Sequence, residues 1–157
     1  TTVASTAEDA LSLMGMLPPE AAARVARTVG TKFRGAPERG REWVMSLPPG
    51  PVRMQAWEGL GSLDGITPDS VPPGPDRDAA LIGSLYRSGM VPKPGERLRT
   101  VMEIADSTLR RDAFDMVMEE SVQSTTNRAD AQTGLEEFDV PDDWKERWRG
   151  KSATKRD

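Results

Sequence analysis

The chain has no cysteine and no histidine among its 157 residues. Without cysteine there is no disulfide, no zinc–thiolate site and no thiol nucleophile. Without histidine the commonest general base, the commonest transition-metal ligand and the usual pH switch are all missing. Any catalysis would have to rest on carboxylates or lysine, so a non-enzymatic role without a cofactor is expected. Aromatic side chains are few: four Trp, three Phe and one Tyr. Hydrophobic residues make up 36% of the chain, low for a compact globule. No apolar run approaches the ~20 residues that a membrane span needs. A dominant charge of one sign is also lacking. The net charge of −4 argues against general nucleic-acid affinity. The charge is unevenly spread, since residues 144–157 carry six basic and two acidic side chains, +4, and the remainder carries −8. The chain opens on Thr1, not Met, so an upstream stretch is expected to have been removed.

What the chain has in quantity is proline and glycine, 13 and 14 residues, and they recur in a phrase. Leu47-Pro48-Pro49-Gly50-Pro51-Val52-Arg53-Met54-Gln55-Ala56-Trp57 returns as Val71-Pro72-Pro73-Gly74-Pro75-Asp76-Arg77-Asp78-Ala79-Ala80-Leu81. A weaker copy runs from Ile104 through Arg110 and Ala113 to Phe114, and a degenerate one begins at Leu17-Pro18-Pro19-Glu20. The starts at 17, 47, 71 and 104 are 30, 24 and 33 residues apart, a period that points to stacked helices.

The apolar spacing agrees. Thr6 reads as the N-cap of a first helix carrying Ala10, Leu11, Leu13 and Met14. Ala22, Val25, Ala26, Val29 and Phe33 recur at helical intervals in a second. A third helix begins at Ala36-Pro37-Glu38 and carries Trp43, Val44 and Leu47; Val52 to Leu63 is its partner. Residues 64–76 are poor in helix formers, so the opening helix of the next unit shrinks to a turn before a helix over Asp76–Ser88 that Gly89 ends. Pro94–Ile104 and Ser107–Val122 form a further pair. Ser124 to Gly134 reads as a polar, mobile linker, followed by a short capped helix over Asp142–Arg149. No stretch alternates with period two, so no sheet is expected.

The stretch Glu42 to Ala56 resembles a bacterial repeat of the pattern Trp-x-x-Ser-Leu-Pro-x-Gly-x-x-Arg-x-x-Ala, here Trp43, Ser46, Leu47, Pro48, Gly50, Arg53 and Ala56. The likeness is good over residues 20–63 and partial over 71–86 and 94–118, where nothing stands in for Trp43. It implies tetratricopeptide-like or HEAT-like helix hairpins, a binding role and no catalytic residues. With it, the expected fold is all-α: a right-handed stack of about four short helix hairpins over residues 7–122, an α-solenoid. Residues 123–157 are then a linker and an extended tryptophan-rich, basic C-terminal tail. A soluble bacterial protein, cytoplasmic or periplasmic, follows.

Trp43 and Trp57 are expected to fill space between hairpins, Phe114 to be a structural position of its repeat, and Ala56, Ala80 and Ala113 to mark close helix contacts. Arg53, Arg77 and Arg110 hold one repeat position. There a guanidinium can bond the free carbonyls that end the preceding helix, or pair with a neighbouring unit's carboxylate. Gly30, Gly35 and Gly40 read as scattered caps and turns. Met116 and Met118 are two apart, so one of them points outward. Asp112, Asp115 and Glu119 share a helical face; carboxylates alone can hold magnesium or calcium, but a solvated acidic face is the commoner use. The segment around Trp144, Arg147, Trp148 and Arg149 mixes aromatics with positive charge. With Phe138 it is the expected docking element for another protein or a multi-subunit complex. Self-capping of the helical array and binding to nucleic acid or a membrane surface are the alternatives. The function expected from all this is a non-catalytic protein-binding scaffold or accessory subunit; the alternative is a nucleic-acid-associated protein using the basic tail.

Overall fold

The computed structural model describes residues 2–87 and 91–152, with side chains described for 8–87 and 91–149. Among the described residues every regular element is helical. The α-helices are α1 (Thr2–Met14), α2 (Pro19–Thr31), α3 (Pro37–Ser46), α4 (Pro51–Gly61), α5 (Pro75–Ser84), α6 (Pro94–Met102), α7 (Ser107–Ser121), α8 (Thr125–Glu137) and α9 (Asp142–Ser152). A 3-10 turn, Pro68–Ser70, precedes α5.

The prolines explain where the helices begin. Each of α2 to α6 opens on proline, and none of these five has a side-chain N-cap. Proline lacks the N–H that a first turn would leave unsatisfied, and its fixed φ suits the first helical residue. The two following helices lack proline there and are capped by side chains instead. Asp106 accepts at 2.9 Å from both Thr108 N–H and Leu109 N–H at the start of α7. Ser124 accepts from Asn127 N–H at the start of α8. Asp106→Ala is expected to cost about 1 kcal/mol, read as a lower midpoint in urea unfolding.

The chain divides into two compact units, Thr1–Val91 and Pro92–Asp157. In the first, α4 lies between α2 and α5, α1 packs on α2, and α3 packs on α4. Ala26, Val44, Ala56, Trp57, Leu60, Leu63 and Ala80 are almost wholly buried there. Phe33 and Trp43 stack with ring centroids 5.5 Å apart. In the second unit, α6 packs on both α7 and α8. Leu98, Val101, Ile104, Phe114, Val117, Ala131 and Leu135 form its interior.

Helix contacts in the first unit are set by glycine. A Cβ on Gly59 would land on the carbonyl oxygen of Arg27 in α2, and one on Gly83 on the carbonyl oxygen of Glu58 in α4. Gly61 meets Ala80 of α5 in the same way, and a Cβ on Gly30 would stand 2.6 Å from the Ala56 carbonyl oxygen. These obstacles are backbone, so the helices can lie this close only where hydrogen replaces a side chain. Gly30 and Gly40 are therefore buried helix contacts, not caps; Gly40 meets Phe33 and Leu60. Gly35 alone of that trio has positive φ, 87°, in a turn.

Several expectations change. Helix α1 is already running at Thr6, so its start is not there. Helix α5 ends at Ser84, where Leu85 and Tyr86 bond back three residues to Ile82 and Gly83 and tighten the last turn. Gly89 lies outside the described residues. The region 124–134 is not a linker but most of α8, whose Ala131, Gly134 and Leu135 are buried against the rest of its unit. The compact units divide at 91/92, and residues 125–137 and 142–152 are helical where an extended tail was expected.

Candidate functional site

The two Pro-Pro-Gly-Pro turns are built alike. The first residue, Leu47 or Val71, is buried, and the prolines that follow it, Pro48 and Pro49 or Pro72 and Pro73, are exposed. Gly50 and Gly74 have φ of 144° and 134°, a region that side chains other than glycine's rarely enter. Their carbonyls accept the first helical bonds, from Met54 and Asp78. An arginine then closes each turn from inside. Arg53 Nη1 donates to the Leu47 carbonyl at 3.4 Å, and Arg77 Nε to the Val71 carbonyl at 2.7 Å. Both reach six residues back. The outer face of Arg53 meets Asp76 of the next turn, Nη2 to Oδ2, at 2.7 Å. Arg77 fills its second place with the Asp69 carbonyl at 3.2 Å.

Two open grooves flank the first turn. One, of about 340 Å³, is lined by Leu11, Met14, Ala22, Leu47, Val52 and the turn itself. The other, of about 240 Å³, lies between the two turns and is lined by Pro49, Arg53, Met54, Pro72, Pro73 and Asp76. Pro49 and Gly50 belong to both, so the grooves meet across that turn. The first is mostly apolar, with no charged side chain among its described lining residues; the second includes the Arg53–Asp76 pair.

The second unit repeats the pattern without its prolines. Arg128 Nη2 donates at 2.8 Å to the Val122 carbonyl, again six residues back. Ala131 and Gly134 follow Arg128 by three and six, as Ala56 and Gly59 follow Arg53 and Ala80 and Gly83 follow Arg77. Ala131 is buried, and a Cβ on Gly134 would stand 3.1 Å from both Gly95 Cα and Leu98 Cδ1. The copy read at Ile104–Phe114 differs from this. Ala113 and Phe114 are buried, yet the Arg110 Nε is buried without a partner, and the start of α7 is held by the Asp106 cap. The spacing Val122…Arg128…Ala131…Gly134 was present in the sequence; the missing prolines hid it.

Trp144, Arg147 and Trp148 lie against α7. Trp148 is 2% exposed, and its Nε1 donates to Asp115 Oδ1 at 3.3 Å. Arg147 donates to Asp115 Oδ2 at 3.0 Å, and Arg111 Nε reaches the same oxygen at 3.4 Å. Trp144 is half-buried, packs at a 45° tilt against Phe114 with ring centroids 5.2 Å apart, and lies under the Arg111 guanidinium at 4.8 Å. Phe138 is half-buried at the end of α8, and Arg149 is exposed. Asp115 is therefore the anchor of α9, not part of a solvated acidic face. Among the described residues no group of three or more potential metal ligands occurs. Met118 is buried, and Met116 is half-buried. No described helix is long and apolar enough to cross a membrane.

Comparison with protein-family models, with curated proteins and with solved structures finds no match.

Proposed function

We propose that the chain is a non-catalytic scaffold that binds an extended, apolar segment of a partner protein along its Pro-Pro-Gly-Pro turns. In this reading its helices form a stack of short hairpins, an α-solenoid, with α2, α4 and α5 as successive inner helices. The recurring Arg-x-x-Ala-x-x-Gly spacing supports one building block used several times. The observation that carries the function is the pair of grooves meeting at Pro49–Gly50. Proline rims offer no N–H donors, and the floor of the larger groove is Leu11, Met14, Ala22 and Val52. Such a surface favours apolar side chains packed by shape over a hydrogen-bonded strand. Trp144 and Trp148 are held within their own unit, so the array, more than the C-terminal segment, carries the binding in this reading.

The test is affinity capture from the native host with the full chain and with Leu11→Asp and Val52→Asp variants of unchanged helical content. One stoichiometric protein lost with both variants is the expected result. A protein retained equally by all three chains removes the groove from the proposal. Recovery of nucleic acid, lost with Arg149→Gln, would replace it with the basic-tail alternative.

A further inference from the structure

A third groove, of about 440 Å³, lies within the second unit and is lined by Thr125, Arg128, Ala129 and Gln132 of α8 and Arg149 of α9. Among the described residues its charged lining groups are two guanidiniums, one from each helix. The first turn of α8 carries no acidic residue, so its positive dipole end is not offset locally. Arg128 is oriented by its bond to the Val122 carbonyl, as Arg53 is by its bond to Leu47. The resemblance then stops. Arg53 turns its outer face to the carboxylate of Asp76, whereas Arg128 has no carboxylate partner among the described residues; the Nε of both is buried without an acceptor. The neighbouring acid, Asp130, is turned to α6, where it accepts from Gly95 N–H at 2.7 Å.

We propose that this groove is an oxyanion site, taking a small phosphate-bearing or carboxylate ligand where the equivalent arginine of the first unit holds Asp76. A planar guanidinium presents parallel donors to either anion. The Thr125 hydroxyl and the Gln132 amide supply neutral donors on the same face of α8. An anion seated there bridges α8 and α9.

The experiment is calorimetric titration of the full chain with inorganic phosphate and, separately, with acetate, at ionic strength held constant with chloride. Saturable one-site binding of either anion is expected, with slower hydrogen exchange of the α9 amides on binding. Arg149→Gln removes a donor, and Gln132→Glu places a carboxylate in the groove without touching the core. Each is expected to weaken binding roughly tenfold or more. Preference for phosphate identifies a phosphate-bearing ligand; equal response to acetate identifies a carboxylate. No saturable binding of either anion, or affinity unchanged in both variants, overturns the site.

Discussion

Gly59→Ala is expected to destabilise the first unit by about 3 kcal/mol, the upper end for overpacking a tight contact. The sign is the opposite of what helix propensity alone gives. In an unobstructed helix interior, glycine to alanine gains up to about 1 kcal/mol. Here the added methyl would land on the Arg27 carbonyl oxygen, with the Arg27 backbone carbon 2.9 Å away. A long side chain could swing aside, but a helix backbone cannot move without displacing α2 from α4 along their whole length. Gly83→Ala, facing the Glu58 carbonyl across the next helix pair, is expected to cost a similar amount. Gly15→Ala is the control: its nearest neighbours would be ordinary contacts at 3.6 and 3.8 Å, so its effect should stay within about 0.5 kcal/mol. Urea unfolding followed by circular dichroism measures all three. Wild-type stability in Gly59→Ala would show that α2 and α4 are not in backbone contact.

The same glycines show what the sequence made legible and what it hid. Helix starts were readable because proline announces them, and the shortened opening element at 64–76 was readable because it lacks helix formers. Both signals are local. Gly59 and Gly83 act across 32 and 25 residues of sequence, on Arg27 and Glu58, and nothing local distinguishes a glycine that admits a neighbouring helix from one that merely turns the chain. Helix α8 was hidden for a related reason. Its polar composition suggests a linker, and its apolar face is a few small or single residues, Ala131, Gly134 and Leu135, sufficient only because α6 comes so close. Its identity lay in the arginine spacing, which is independent of polarity. The grooves beside Pro49–Gly50 were half legible: the turns were evident, but their sharing of one surface depends on how α1 and α5 flank them. The fate of Trp144 and Trp148 was not legible, because a tryptophan pair four residues apart serves a partner's groove and a neighbouring helix equally well. In the structure Trp148 donates to Asp115, 33 residues before it.

Asp115→Ala should therefore free α9. Helix α9 has 11 residues, and little besides its two tryptophans is apolar. Isolated helices of that length are marginal in water, so α9 depends on its docking. Removing the carboxylate takes an acceptor from the nearly buried Trp148 indole N–H, at a cost of about 1–3 kcal/mol, and leaves Arg111 and Arg147 without the anion they share. The contacts that remain are the burial of Trp148, the Arg111–Asp143 pair at 3.8 Å, and Trp144 between Phe114 and Arg111, the last worth about 0.5–1.5 kcal/mol beyond burial. The loss falls on a short helix with few other contacts, so α9 should open more often while α6, α7 and α8 keep their shared interior. Hydrogen exchange is expected to show amides 142–152 losing protection and those of α7 keeping it, with a red shift of tryptophan emission. Asp115→Asn separates the two roles of the carboxylate. Its amide oxygen can still accept from Trp148 but no longer balances two guanidiniums, so partial release, greater at low salt than at high, is expected. Full protection of α9 in Asp115→Ala would mean that the aromatic contacts suffice alone and that the carboxylate serves only to neutralise Arg111 and Arg147.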